Sequence, residues 1–411
     1  MAASTKPPFQ SAWPNLALDL LGDVLSRLPS LADRVRLGAV CRPWRTAAKL
    51  LPPPPPQLPW IALPDGSALD VANQRRQRLC VPKGDGPCYS AGENMFFIHH
   101  DDGRCSLVNG FSGAVTPLRE LAGALLASCK VKAFDDKLER KLYPDMQIKK
   151  VVMSSAAPSS PNHQHPLVAV LVSDSCLSRV LISTCRPAGE INSCVVTRAI
   201  LLIVDIAFFQ GKLYAHLRSF EELVAVDLGS GCLDKPTRLG VKHEVNLTSW
   251  IWPPGLPDQV QDLLGIYSNN SLRDTIQQDR YLVESDGKLL MVRRRVPGRH
   301  RHLTSRFEVF EAVLTDGPRR GRWKKAESLD GRALFVSTPC SKSVRASDGY
   351  GARADCIYFV LNYGDPLLDS GVYNVVDKTI MPLMPPVPAS RRAKLTWLRQ
   401  GSPAWFFPVQ I

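Results

Sequence analysis

Three close histidine pairs are the first residues whose types could do chemistry: His99 with His100, His163 with His165, and His300 with His302. A zinc site closes with four ligands at set spacing, and none of these pairs has a cysteine or carboxylate set to complete it. They read as solvated loop or strand histidines. The 11 cysteines are scattered without a C-x-x-C spacing and read as reduced, intracellular thiols. Gly349-Tyr350-Gly351-Ala352-Arg353-Ala354 imitates a dinucleotide fingerprint. It stands before the strand-like run at Cys356, however, and does not join a strand to a helix. No G-x-S-x-G, H-E-x-x-H or P-loop pattern occurs. No catalytic residue, metal ligand or cofactor site emerges, and the expectation is a protein that is not an enzyme.

What remains is recognition chemistry. The formal charge of +13 is uneven, because Met291 to Lys325 holds eleven Arg and Lys against only Glu308, Glu311 and Asp316. Such a stretch can attract nucleic acid, anionic lipid or an acidic protein by Coulomb steering. Its blander reading is a solvated face of arginine-rich strands and turns. Arg293, Arg294 and Arg295, with Arg299 and Arg301 behind them, have the composition of a nuclear-import signal. Tyr281 to Val292 reads as two strands, so this run more simply ends a hairpin.

These residues must be positioned by folded elements, and 411 residues with 45% hydrophobic content can bury a substantial core in two or three domains. Near the start, Leu21, Val24, Leu25 and Leu28 recur at helical spacing opposite Asp19, Asp23, Ser26 and Arg27, and Pro29 ends that helix. Ser30 with Asp33 is an N-terminal capping signature for a second helix, and Pro43 suits the first turn of a third that carries Trp44 and Arg45. Pro52 to Pro56, with Pro59 close behind, favours a stiff polyproline II spacer. A Pro/Ser/His-rich loop is expected over Ala156 to Pro166.

Beyond the spacer the period becomes alternating, with strand-like runs at Met95 to His99, Leu167 to Val172, Ala199 to Phe209, Leu213 to His216, and Leu223 to Asp227. Others follow at Arg280 to Glu284, Leu289 to Arg293, Phe307 to Val313, Ala333 to Ser337 and Cys356 to Asn362. Asp-Gly occurs seven times, a hairpin signal because type I′ turns need positive φ. Units beginning at Phe208 and Leu282 each read strand, Gly-Lys-Leu turn, strand, loop, strand, as one propeller blade does, with a weaker copy from Ala354 to Thr379. The expectation is a mostly antiparallel β domain, a β-propeller of open blade count, with a pair of β-sandwiches as the other architecture.

The order of residues from Trp13 to Arg45, W-P-x-L-x-x-D-L-L-x-x-V-L-x-R-L-P-x-x-A-D-R-x-R-L-x-x-V-C-R-x-W-R, resembles an F-box of the plant type. That resemblance implies that Pro14, Leu20, Leu21, Val24, Leu28, Leu37, Val40, Cys41 and Trp44 pack on a Skp-type adaptor or support residues that do. Trp-Pro stands where Leu-Pro is commoner. The segments DIAFFQGKLYA from Asp205, YLVESDGKLLMVRR from Tyr281, FEVFEA from Phe307, GRWKKAESLDGRALFVSTPCSKSV from Gly321 and DCIYF from Asp355 resemble the domain of unknown function that follows the F-box in a large plant family. That family implies a propeller-like domain without established enzyme activity.

The sequence therefore reads as α+β in separate domains: a helical F-box over 11–50, a Pro-rich linker over 51–60 and a propeller-like domain over 61–400. The resemblance implies a non-catalytic substrate receptor of a Skp-cullin-F-box ubiquitin ligase, whose β domain recruits a target protein. Trp250, Trp252, Arg293, Arg294 and Arg295 are the candidate target anchors. The alternative reading is a β-domain module for nucleic acid or another polyanion, acting apart from any ligase. The start, MAASTKPPFQSAW, carries one Lys and no apolar run of signal-peptide length, so cytoplasm, nucleus or both are expected, with no membrane partner.

Overall fold

The computed structural model describes residues 16–27, 37–38, 40–50, 58–63, 66–72, 75–82, 86–92, 94–129, 147–154, 165–173, 177–185, 194–197, 200–201, 203–217, 223–226, 241–245, 277–296, 303–314, 321–346, 351–360, 369–384 and 403–407. Pro14, Leu28, the Ser30 capping signature, the polyproline run, most of the Ala156 to Pro166 loop, Trp250 and Trp252 lie outside them.

Two helices make up most of the described head, α1 (Leu18–Ser26) and α2 (Arg42–Leu50). Helix α1 begins without a side-chain cap, but Asp19 in its first turn faces the positive end of the helix dipole. Pro43 sits in the first turn of α2, where an absent N–H loses no intrahelical bond. The expected apolar stripe of α1 divides in two. Leu21 and Leu25 are buried with Leu37 against Leu16 and Trp44, whereas Val24 turns outward with Leu20.

The remaining strands form six mostly antiparallel sheets, the blades of a six-bladed β-propeller. Blade 1 holds β1 (Trp60–Ala62), β2 (Ser67–Asp70), β3 (Arg75–Arg78) and, from the far end of the chain, β26 (Ala404–Phe406). Blade 2 is β4 (Cys88–Gly92), β5 (Met95–His99), β6 (Cys105–Asn109) and β7 (Val115–Pro117). Blade 3 is β8 (Gln147–Met153), β9 (Leu167–Ser173), β10 (Leu177–Thr184), β11 (Cys194–Val196) and β12 (Ile200–Leu201). Blade 4 is β13 (Ile203–Phe209), β14 (Lys212–Leu217), β15 (Leu223–Val226) and β16 (Val241–Val245). Blade 5 is β17 (Gln277–Ser285), β18 (Lys288–Val296), β19 (Arg306–Leu314) and β20 (Gly321–Ala326). Blade 6 is β21 (Arg332–Val336), β22 (Ser341–Arg345), β23 (Cys356–Phe359), β24 (Gly371–Asn374) and β25 (Ile380–Pro382).

Successive blades meet through the end strands β26, β4, β8, β13, β17 and β22, which are thus the inner strands. Six apolar clusters fill the six boundaries between neighbouring blades, including the one between blades 6 and 1. A sheet covered on both faces buries consecutive residues, which is why β9 reads Leu-Val-Ala-Val-Leu-Val-Ser with every residue buried. Helix α3 (Arg119–Cys129) places Leu121 and Leu125 in the cluster between blades 2 and 3.

The ring is closed by β26, which pairs with β1 through Trp60–Phe406 and Ala62–Ala404. Its strand lies past residue 400, where the sequence placed the domain's end, and β1 begins at Trp60, inside the expected linker. Trp405 faces blade 6, its Nε1 donating to the Val336 carbonyl at 3.0 Å and its ring edge-on to Phe335. Phe406 faces blade 2 and stacks on Phe96 at 5.2 Å. Gly110 stands where a Cβ would meet the Phe96 ring at 2.8 Å, so only glycine lets this aromatic contact close.

The turn chemistry follows the Asp-Gly signal in part. Asp286-Gly287 and Asp330-Gly331 both take positive φ at each residue, as does Gln210-Gly211 between β13 and β14. Blade 6 departs from a simple meander: β21 pairs antiparallel with β22 but parallel with β23, through Ala333–Cys356 to Val336–Phe359.

Candidate functional site

The head presents the first candidate surface. Among the described residues its core is Leu21, Leu25 and Leu37, and three large apolar side chains stand outside it: Leu20 is 51% exposed, Val24 41% and Val40 63%. Arg45 Nε donates to the Gly38 carbonyl at 3.1 Å and ties α2 to the preceding segment. Of the residues that the sequence assigned to adaptor binding, Leu21 and Leu37 are buried, Cys41 and Trp44 are half-buried, and Leu20, Val24 and Val40 point outward.

The second candidate lies at the propeller axis. Lys150 on β8 donates from Nζ to Asp205 Oδ1 on β13 at 2.6 Å, with both side chains under 5% exposed. Asp205 also accepts the backbone N–H groups of Ile206 at 2.9 Å and of Leu282 on β17 at 2.6 Å. One carboxylate thus joins blades 3, 4 and 5. Burial pushes its pKa up, and the Lys150 ammonium and the two N–H donors oppose that push. Around the same axis Ser90 on β4 donates to the Trp405 carbonyl at 3.3 Å, and the hydroxyls of Ser285 on β17 and Ser343 on β22 lie 2.8 Å apart. Cys340 is buried, and that burial pushes its thiol up, away from the thiolate a nucleophile requires. These groups satisfy one another, so the axis is fastened more than it is reactive.

A third polar cluster joins blades 5 and 6. Arg294 donates from Nε to Thr304 Oγ1 at 2.7 Å, from Nη1 to Asp279 at 3.1 Å, and from Nη2 to Asp369. Asp369 accepts the Thr304 hydroxyl at 2.8 Å and the Thr304 backbone N–H as well. Arg293 lies 4.9 Å over the Phe310 ring and 3.7 Å from Glu308, which also takes Arg295 Nε at 2.7 Å. The expectation that Arg293 and Arg294 anchor a target is therefore corrected: both are buried inside the propeller, because β18 is covered by neighbouring blades on both faces. Exposed basic side chains stand instead on two outermost strands, Arg75, Arg76 and Arg78 on β3, and Arg322, Lys324 and Lys325 on β20.

The motifs set aside for catalysis have structural places. His99 ends β5, and His100 Nε2 lies 2.7 Å from the Ser106 hydroxyl. Gly351 takes φ +63° in the turn before β23. Among the described residues no group of three His, Cys, Asp or Glu is placed to hold a metal ion, and no helix is long and apolar enough to cross a membrane. Lys150 and Asp205 were not singled out from the sequence. Their only local signal is an acidic residue interrupting the apolar run from Ala199 to Phe209.

Comparison with known proteins bears on the propeller. The family described as the KIB1-4 beta-propeller matches residues 67–374. No curated protein matches the chain. Among solved structures, the N-terminal domain of Nup159 aligns over 83% of this chain and 88% of that one, at 7% identity and a TM-score of 0.21, too low to carry an argument.

Proposed function

We propose that this chain, which belongs to the KIB1-4 beta-propeller family, is a non-catalytic substrate receptor of a Skp-cullin-F-box ubiquitin ligase. The observation that carries the proposal is the outward set Leu20, Val24 and Val40 on a helical head whose own buried core is Leu21, Leu25 and Leu37. Small helical units of this kind bury too little surface to stand comfortably alone, and apolar anchors of this kind seat in a partner's groove. The resemblance of Trp13 to Arg45 to an F-box implies the partner's class, a Skp-type adaptor, and through it a cullin.

The propeller's part is to hold a target protein near the recruited ubiquitin-conjugating enzyme, a gain of effective concentration and not of bond chemistry. Six blades fastened by the clusters at their boundaries make a rigid platform whose loops can diversify. The working compartment in this reading is cytoplasm, nucleus or both. Co-elution of the full-length chain with a purified Skp-type adaptor on gel filtration tests the reading; separate elution at micromolar concentration removes it. The polyanion reading draws on the exposed arginines of β3 and the basic residues of β20, and it predicts nucleic-acid binding that falls steeply as salt rises.

A further inference from the structure

The outermost strand of each blade offers one edge to solvent, and most of these edges are blunted. Strand β7 is three residues long and ends in Pro117, β11 has three residues, and β25 contains Pro382, which has no N–H to give. Strand β16 meets β15 through an irregular register, and β3 has four residues. Strand β20 differs from all of them. It has six residues without proline, lies on β19 in unbroken register from Leu314–Gly321 to Val309–Ala326, and pairs with no second strand among the described residues.

Charge is what guards this edge. Arg322, Lys324 and Lys325 are exposed, whereas Trp323 among them is buried. Like charges along an edge turn away the same edge of a second copy. Lys325 is engaged by Glu327 at 2.9 Å. Neither Arg322 nor Lys324 makes an ion pair among the described residues, and Glu311, opposite Lys324 in register, has its carboxylate 4.0 Å from Lys288. Two residues apart on one strand, Arg322 and Lys324 share a face of the sheet and stand roughly 7 Å apart. The fold accepts added strands elsewhere: blade 6 carries β25 as a fifth strand outside β24, and blade 1 takes β26 from the far end of the chain.

We infer that β20 is a docking edge for an acidic extended segment of a partner protein, which joins blade 5 as a fifth strand. Backbone hydrogen bonds hold such a strand, and its side chains fall directly across from those of β20. A segment with an acidic residue at every second position brings two carboxylates to Arg322 and Lys324. The charges that repel a second copy thus select this partner. A nucleic acid fits the edge less well, because its phosphates repeat at about 3.4 Å along a strand, and Glu311 and Glu327 lie beside the cations. The inference rests on the target-holding part given to the propeller, and its test uses no adaptor, so the inference and the ligase reading fail separately.

The test is fluorescence anisotropy of a labelled peptide of alternating Glu and Val, titrated with the full-length protein at about 0.15 M salt. The expected result is saturable binding that weakens at least ~10-fold with Arg322→Glu/Lys324→Glu and is unchanged with Arg75→Glu/Arg78→Glu on β3. Methylating alternate peptide amides in one phase removes the donors of the ladder and should abolish binding; the other phase, whose amides face solvent, should retain it. No binding by the unmodified peptide, or equal behaviour of the two methylated peptides, overturns the inference without reference to any variant. Binding that survives the β20 reversal in a folded protein overturns it as well. So does an oligonucleotide that binds more tightly than the peptide and loses its affinity in the β20 variant, which would assign the strand to nucleic acid.

Discussion

Lys150 and Asp205, 55 residues apart in sequence and 2.6 Å apart in space, form a buried ion pair between the inner strands of blades 3 and 4. A second contact from Asp205 to the Leu282 N–H extends the tie to blade 5.

Removing one partner strands the other charge out of water. Asp205→Leu and Lys150→Met are each expected to destabilise the propeller by about 3–5 kcal/mol, read as a lower urea midpoint. The double variant Lys150→Met/Asp205→Leu should recover a large part of that loss, because a buried ion pair contributes little net stability over a well-packed apolar pair. Additive losses in the double variant would show that the two groups do not act as a unit.

Ring closure rests on three residues at the far end of the chain. Trp405→Ala deletes a fully buried ring and its bond to the Val336 carbonyl, and should cost about 3–5 kcal/mol. The loss should concentrate at one boundary. Hydrogen exchange is therefore expected to speed most for β1, β21 and β26, with β9 and β14 little changed; uniform acceleration would contradict closure by β26.

His216 imposes a pH dependence of defined sign. Its folded pKa, about 3, lies below the usual 6.5, so the unfolded chain binds the extra proton as pH falls below 6.5. Its stability contribution is fully present above pH 6.5 and is lost as pH falls from there toward 3, on the order of 5 kcal/mol in all. In chloride buffers the wild type should lose more stability between pH 7.5 and 4.5 than His216→Phe does. Parallel curves would mean that the imidazole is solvated in the native protein.

Much of the β architecture is legible in the sequence, and the reasons for the gaps are physical. The runs at Met95 to His99 and Leu167 to Val172 became β5 and β9, since an unbroken apolar run is what a strand buried on both faces requires. Strands β3 and β20 are polar outermost strands and carry no such signal. Strand β26 has three residues, and its pairing with β1 spans most of the chain, a contact no local pattern contains. The arginine run misled because charge normally marks surface; here Arg294 is buried by virtue of Asp369, Asp279 and Thr304, supplied by other segments. In the head, helical spacing assigned Val24 to the same stripe as Leu21 and Leu25, whereas the packing separates them.

The central claim concerns the head, and its direct test is the affinity of the full-length protein for a purified Skp-type adaptor, wild type against Leu20→Glu/Val40→Glu. Both substituted residues are exposed, so the head's core of Leu21, Leu25 and Leu37 is left intact. The account predicts wild-type binding that weakens at least ~100-fold in the double variant, since two apolar anchors at about 2 kcal/mol each exceed that factor. No wild-type binding, or equal binding by both proteins, would contradict it.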